Sequence, residues 1–471
     1  MHPVFEKTLA HIGSQCGYAG GAFAVVKDGE VVMEEVFGVA STETGRPITK
    51  DSFFHIASDT KCMTTSLISR LCDRGEMDWD APVRTYIPEF HIRDDEYVST
   101  HMTLKDMASH RSGICSNNAL WQLPLETVPT RKAYMERVMN LAMAAPFRDR
   151  FMYQNELYGM LGYAAECVTG KSWEDLIREE IAAPLGMQVA FSGIPEELPD
   201  VAEPHWCRGK TVEHTQYAGW WPFNPCGGVR TNLRGFENWL KMWCSGGLMP
   251  NGDRFLSQAM FRKMITPISF WCWVAEPDAC RTYALGLAPS VYRGEKLVYH
   301  GGSLNGYRSA MGFFPDKNCG YVVMINSNTQ PLAVLKTLLC DYALGCLQDD
   351  YTDYCDRHIR AFYAPSTRGD SLPLVVPVAE DVKMRFIGTY DNEAYGNIRI
   401  VDGGENALTA EYHGVKWTAR LRRIGEDGEY QFMEDTPMGY VVHLRFSPDG
   451  KNAKMSFSQF YTPNPFVKVD E

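Results

Sequence analysis

Phe53-Phe54-His55-Ile56-Ala57-Ser58-Asp59-Thr60-Lys61 is an apolar run that stops at a serine, with a lysine three residues further on. A helix starting at Ser58 puts Lys61 one turn along on the same face, where its amine reaches the serine hydroxyl. A serine beside an amine is a candidate nucleophile with its base; a plain capped helix start fits the same stretch. To act as a base, Lys61 needs burial or a cationic neighbour, because a lysine in water titrates near ~10.4. Met63, Leu67, Ile68 and Leu71 continue at helical spacing until Asp73-Arg74-Gly75 supplies a stop. The serine therefore sits at the N-terminus of a buried helix, close to free backbone N–H groups.

Toward the N-terminus, Ala22 to Lys27 and Val31 to Phe37 flank Asp28-Gly29, a dipeptide that favours a tight hairpin. The sheet thus opens antiparallel, which excludes a nucleotide-binding fold at the start of the chain. Val4, Phe5, Leu9 and Ile12 ahead of it predict a short amphipathic helix over 3–14.

Toward the C-terminus, Asp78 to about Ala145 reads as helical and irregular, an insertion over the sheet. Ser172-Trp173-Glu174-Asp175 caps a further helix that Pro184-Leu185-Gly186 ends. Pro204 to Gly228 is dense in aromatic residues and suits either a pocket wall or a packed surface loop. Phe236 to Trp243 reads as helix. Lys296 to His300, Arg308 to Phe314 and Gly320 to Asn326 form an antiparallel meander, and Leu332 to Leu347 a helix that can cover it. Prolines 365, 373 and 377 mark a linker. Beyond it, Asn397 to Val401, Leu408 to Tyr412, Lys416 to Leu421, Tyr430 to Met433, Val441 to Phe446 and Met455 to Phe457 alternate as strands of a small barrel or sandwich.

A chain of 471 residues with 45% apolar content predicts two or three folded domains. The net charge of -12, with no basic run, argues against nucleic acid and anionic membrane as partners and leaves small molecules or short peptides. The 14 cysteines contain no Cys-x-x-Cys pair and read as scattered free thiols rather than disulfides or a metal site. Without a signal-like start or an apolar run of about 18 residues, the expectation is a soluble, cytoplasmic chain. The oligomeric state is left open.

Two further motifs accompany the serine. Tyr153-Gln154-Asn155 stands at the start of a helix, and His300-Gly301-Gly302-Ser303 at the end of a strand. Taken singly, Tyr153 fits a core tyrosine, Asn155 a helix cap and His300 a strand-end histidine. In this order, with Ser-x-x-Lys, the three resemble the signature of serine β-lactamases and penicillin-binding proteins. The tyrosine variant resembles class C β-lactamases, DD-peptidases, D-aminopeptidases and β-lactamase-like esterases. Phe54 to Phe90, Met102 to Gly113 and Asn224 to Val229 are similar to flanking stretches of that family, so the resemblance covers about residues 10–350.

The resemblance implies an α/β (α+β) architecture: an antiparallel sheet flanked by helices with an all-α insertion, β-lactamase/transpeptidase-like, plus a C-terminal all-β barrel. The expected layout is a hydrolase domain over 1–363 with its insertion at about 78–190, a linker over 364–380 and a lipocalin-like barrel over 381–471. It implies Ser58 as nucleophile, Lys61 as its base and Tyr153 as the proton relay to the leaving group or from water. Asn155 would bind the substrate carbonyl or hold Lys61; the N–H groups of Ser58 and Ser303 would form the oxyanion hole, with Gly301 and Gly302 letting substrate lie along the strand. Ser303 is a rival nucleophile, but Gly302-Ser303-Leu304-Asn305-Gly306 misses the Gly-x-Ser-x-Gly spacing. No metal or organic cofactor is implied.

The expected reaction is acyl transfer to Ser58 and then to water, on amides of D-residues or small peptides. Alternatives are a carboxylesterase on short acyl esters and a penicillin-binding sensor that is acylated without turnover. His300 stands where β-lactamases carry lysine, and Gly301 where they carry threonine. An ordinary histidine, titrating near ~6.5, is mostly neutral at about pH 7.5 and gains charge toward about pH 6. Substrates lacking a carboxylate beside the scissile bond are therefore expected to be favoured, and mild acid to imitate the lysine.

Overall fold

In the computed structural model, Asp28 and Gly29 both take positive φ, 52° and 85°, the backbone a two-residue hairpin requires. They join β1 (Gly20–Lys27) to β2 (Glu30–Gly38). The structure describes residues 1–93, 95–114, 120, 128–215, 221–249, 251–273, 278–328, 331–363, 374–435, 441–456 and 465–469. Among them the chain divides into two compact units: Met1–Tyr86, Thr103–His110 and Tyr158–Ala364 in the first, and Ile87–Met102, Arg111–Leu157 and Pro365–Glu471 in the second.

The first unit is built on an eight-stranded sheet, antiparallel throughout. After the hairpin its strands are β3 (Ser269–Trp273), β4 (Asp278–Tyr283), β5 (Ala288–Tyr292), β6 (Glu295–Leu304), β7 (Tyr307–Phe314) and β8 (Cys319–Ile325). Their order is β2-β1-β8-β7-β6-β5-β4-β3. The expected meander is β6 to β8. β3 to β5, not foreseen from the sequence, extend it to the far edge.

Helices cover both faces, as the sheet's near-continuous apolar strands require. On one face α1 (Pro3–Gln15) places Phe5 5.1 Å from the ring of Phe23 on β1, and α4 (Pro331–Leu344), the expected covering helix, adds Tyr342 against Phe5. On the other, α3 (Leu233–Cys244) stacks Trp243 5.3 Å from Phe313 on β7. Gly320 pairs with Phe313, and a Cβ there would come within 2.9 Å of Leu240 and Cys244, so the missing side chain lets α3 seat. Another long helix, α2 (Thr60–Asp73), is buried along its first ten residues, Thr60 to Ser69. Ser172 accepts from the Asp175 N–H, and Gly186 at φ 62° ends that helix as expected. In the aromatic-rich segment, His205–Arg208 pairs with Thr211–His214; Tyr217 and Trp220 lie outside the described residues.

The second unit combines part of the helical insertion with the barrel. Its helix Arg131–Met139 presents Arg137, whose Nη1 donates to the main-chain O of Glu393 at 2.6 Å, and Arg93 meets the Glu393 carboxylate at 2.6 Å. Eight consecutive antiparallel strands close the barrel: β9 (Gly388–Asp391), β10 (Ile398–Asp402), β11 (Ala407–Tyr412), β12 (Val415–Ile424), β13 (Tyr430–Asp435), β14 (Val441–Phe446), β15 (Asn452–Ser456) and β16 (Phe466–Val469). Sequence alternation gave six of these. β9 and β16, four residues each, were missed, and they close the ring by pairing Thr389 with Val469. Aromatic side chains fill the interior: Phe386 lies 4.9 Å from Phe446 and 5.9 Å from Phe432, and all three are buried. A small barrel filled in this way is a packed core.

No disulfide forms among the described cysteines, and no described helix is long and apolar enough to cross a membrane. Since Phe446 is a fully buried ring in the barrel core, Phe446→Ala is expected to destabilise the barrel by about 3–5 kcal/mol. Scanning calorimetry should show the barrel transition shifted to lower temperature and the transition of the sheet unit unmoved.

Candidate active site

The apolar run of the opening motif becomes the short strand Phe54–His55, paired with Val229–Thr231. It delivers the chain into a tight turn, Ala57–Asp59, that leads directly into α2. Ala57 sits at φ +46°, a left-handed conformation that costs a non-glycine residue about 1–3 kcal/mol and persists only where neighbours hold it. That strained residue immediately precedes Ser58, which is half-buried.

Lys61 is fully buried. Its Nζ donates to Ser58 Oγ at 3.0 Å and to the main-chain O of Cys226 at 2.8 Å, and lies 5.2 Å from the centre of the Tyr158 ring. Amine and hydroxyl are thus in proton-transfer contact. The segment from Asn224 to Val229 holds this end of α2: Thr64 Oγ1 donates to Pro225 O at 2.6 Å, and Thr60 Oγ1 accepts from the Val229 N–H at 3.2 Å. Gly228 is required there, because a Cβ would fall 1.9 Å from Asn224 Oδ1.

Strand β6 lies against the same turn. Along it His300, Gly302 and Leu304 are buried, while Gly301 and Ser303 are exposed. A Cβ on Gly302 would come within 2.2 Å of Ile56 O and within 2.2 Å of Ser309 Oγ. The strand can approach Ser58's turn only because this position is glycine.

His300 corrects an expectation. Its ring is buried, with Nε2 2.8 Å from the hydroxyl of fully buried Tyr283, and Nδ1 2.9 Å from both the amide nitrogen and the carbonyl oxygen of Gly301. Burial, reinforced by the charges of Lys61 and Lys336, drives its pKa down to about 3, with the hydrogen bond to the Gly301 carbonyl opposing. It stays neutral at pH 6, so mild acid does not imitate a lysine here. His110, from the Met102 to Gly113 stretch, is buried 4.6 Å from the Tyr283 ring and is likewise held well below the usual histidine range, first by burial.

Tyr153 and Asn155 fall in the second unit, on the approach to the helix Glu156–Thr169. Tyr153 is half-buried with its ring 6.4 Å from that of Phe151, Asn155 is buried, and Gln154 Oε1 accepts from the Glu156 N–H at 3.2 Å. The first unit therefore brings Ser58, Lys61, His300, Gly301, Gly302 and Ser303 together, and Tyr153 and Asn155 are placed by the other unit. Sequence reasoning missed Tyr283, Ser309 and the Cys226 carbonyl. Each acts through a contact between distant segments, and only the buried position of Asp59 inside the motif could have prompted a search for such a partner. No group of three potential metal ligands occurs among the described residues.

A family model described as Beta-lactamase matches residues 5–341. The chain is 22% identical to Unguisins hydrolase ungD' of Aspergillus campestris (strain IBT 28561), over 91% of this chain and 84% of that protein. Among solved structures, the octameric penicillin-binding protein homologue from Pyrococcus abyssi superposes with a TM-score of 0.61 at 21% identity, covering 97% of each chain. A D-stereospecific amidohydrolase from Streptomyces sp. superposes with a TM-score of 0.56 at 18% identity, covering 73% of this chain and 98% of that one.

The burial of His300 makes a direct prediction. Between its ordinary value near ~6.5 and its folded value of about 3, the unfolded chain binds the proton and the folded one does not, so stability falls as pH drops through that window. NMR should show no titration of the His300 ring from about pH 5 to 8, and His300→Gln should flatten the loss of melting temperature below about pH 6.5.

Proposed function

The chain belongs to the beta-lactamase family, and on that premise we propose that it is a serine acyl hydrolase working through an acyl-enzyme on Ser58. The observation that carries this is the buried Lys61 Nζ at 3.0 Å from Ser58 Oγ. Ser58 Oγ attacks a carbonyl carbon while Lys61 takes its proton. The oxyanion is received by the N–H groups of Ser58, in the turn ahead of α2, and of Ser303 on β6, next to the glycine that brings the strand in. Tyr153 hands a proton to the leaving group and later draws one from the attacking water, and Asn155 holds the substrate carbonyl or the lysine. Gly301, which has only Ser309 O near its missing Cβ, at 3.5 Å, leaves room for substrate along the strand edge.

The substrate class this favours is an amide of a D-residue or a small peptide. Two observations support it: His300 is neutral and engaged with Tyr283, offering no fixed positive charge to a β-lactam carboxylate, and the chain shares its fold with a D-stereospecific amidohydrolase and is similar in sequence to an unguisins hydrolase. Short acyl esters are the alternative, and single-turnover acylation without release is the third case. A chromogenic ester separates that last case, since a sensor stops after one equivalent. Residues 381–471 carry no catalytic group in this proposal.

Ser58→Ala should abolish both turnover and labelling by a fluorophosphonate; retained labelling would move the nucleophile, most directly to Ser303. Lys61→Met and Tyr153→Phe should each slow acylation by about a hundredfold or more, the usual size of a lost general acid or base. A near-parental rate in either variant removes that residue from the mechanism.

A further inference from the structure

The turn that carries Ser58 is tied to β7 by a side chain that the proposed chemistry does not use. Asp59 is fully buried, and its Oδ2 lies 2.5 Å from Ser309 Oγ. The same Ser309 Oγ lies 2.6 Å from the main-chain O of Ile56. A hydroxyl has one hydrogen to give, and a carbonyl can only accept. If Ser309 gave that hydrogen to Asp59, two oxygens without a hydrogen between them would face each other at 2.6 Å. Ser309 therefore donates to Ile56, and Asp59 must be the donor to Ser309, which a carboxylate cannot be.

Resting on the Ser58 reading above, we infer that Asp59 is a positioning residue, held as the neutral carboxylic acid, whose hydrogen bond through Ser309 to Ile56 pins the nucleophile's turn to the sheet. The sheet is shaped for it. Ser309 pairs with Gly302 across β7 and β6, and the side chain missing at 302 is what opens the slot holding Ser309 Oγ and Ile56 O. Burial pushes the Asp59 carboxyl up to about 7, while the hydrogen bond Ser309 would give the ionised carboxylate, Lys336, a main-chain hydrogen bond from Met311 and Lys61 favour the anion. These are the groups that face it: Lys61 and Cys62 from α2, Lys336 from α4, and Ser309 and Met311 from β7. The Cys62 thiol donates to the Asp59 main-chain O at 2.9 Å and is kept neutral by burial.

Ionisation of Asp59 acts on the proposed chemistry through the turn: Ser309 must turn its hydrogen to the carboxylate, so Ile56 O loses its donor and the turn its anchor. Acylation should therefore decline as pH rises through about 7.

The test is the pH profile of fluorophosphonate acylation in the parent, Asp59→Asn, Asp59→Ala and Ser309→Ala. An asparagine amide donates to Ser309 at every pH. Asp59→Ala and Ser309→Ala are expected to lose about tenfold or more, the worth of one buried hydrogen bond, whereas Asp59→Asn restores the rate and removes the decline from about pH 6.5 to 8.5. An Asn variant that keeps the alkaline decline overturns the inference. Infrared spectroscopy of the parent chain with isotope-labelled aspartate reads Asp59 without any substitution. A protonated-carboxyl band at about pH 6 that disappears with a midpoint near 7 supports it, and its absence overturns it; labelling aspartate alone excludes Glu237, which burial also pushes to about 7. Because this band does not depend on which serine is acylated, labelling retained in Ser58→Ala would sink the Ser58 reading and leave the state of Asp59 separately measured.

Discussion

The site depends on how closely strand β6 can approach the turn ahead of α2. Backbone meets backbone there at Gly302, and a single added carbon would overlap both Ile56 O and Ser309 Oγ. That approach sets the position of the Ser303 N–H relative to Ser58, fixes where the Ser309 hydroxyl can reach, and supports Ala57 in a conformation it would not hold alone. The buried Lys61 is then aimed by acceptors on both sides, Ser58 Oγ and the Cys226 carbonyl. The geometry of the candidate site is thus a property of three segments pressed together: the turn at 57–59, β6, and the Asn224–Val229 stretch. Each is seated by a residue chosen for what it lacks or accepts.

Much of this could be read from the residues, and the misses share a cause. The hairpin at Asp28-Gly29, the β6 to β8 meander and the helix after Ser58 are local patterns, in which turn chemistry and periodicity act within a few residues, and the structure has them where the sequence puts them. β9 and β16 were missed because four residues offer too few alternations to stand out, although the closed ring depends on their pairing. His300 reads from the sequence as a strand end, whereas β6 runs on to Leu304 and Tyr283, from a distant segment, covers the ring. A charge state follows from what surrounds a group in space, so an ordinary titration was the natural assumption and burial overturned it. Asp59 and Ser309 are separated by 250 residues, and a buried acid inside the serine motif becomes informative only once its partner is known.

The second unit follows a different logic. Its barrel is filled with rings, Phe386, Phe432 and Phe446 at their centre, so its interior is a core and any contribution to specificity has to come from its outer surface. Within that unit Glu393 is gripped by arginines from two parts of the insertion, Arg93 and Arg137. The helical insertion and the barrel are therefore connected through side chains as well as through the chain.

The pairing of β1 with β8, Gly21 opposite Ile325, also has a consequence for synthesis on the ribosome. The first hairpin is finished by residue 38, yet the neighbour that completes its sheet emerges roughly 280 residues later, at about 5–20 residues per second. For that interval β1 presents a long apolar edge with unpaired amides, the kind of template on which nascent chains stick to one another. The sheet's centre is a long-range contact by design, and such contacts form late because the loop between them has to be closed first. Protection of the emerging N-terminal hairpin, by a chaperone or by α1 folding back over Phe23, would cover that edge until β8 arrives.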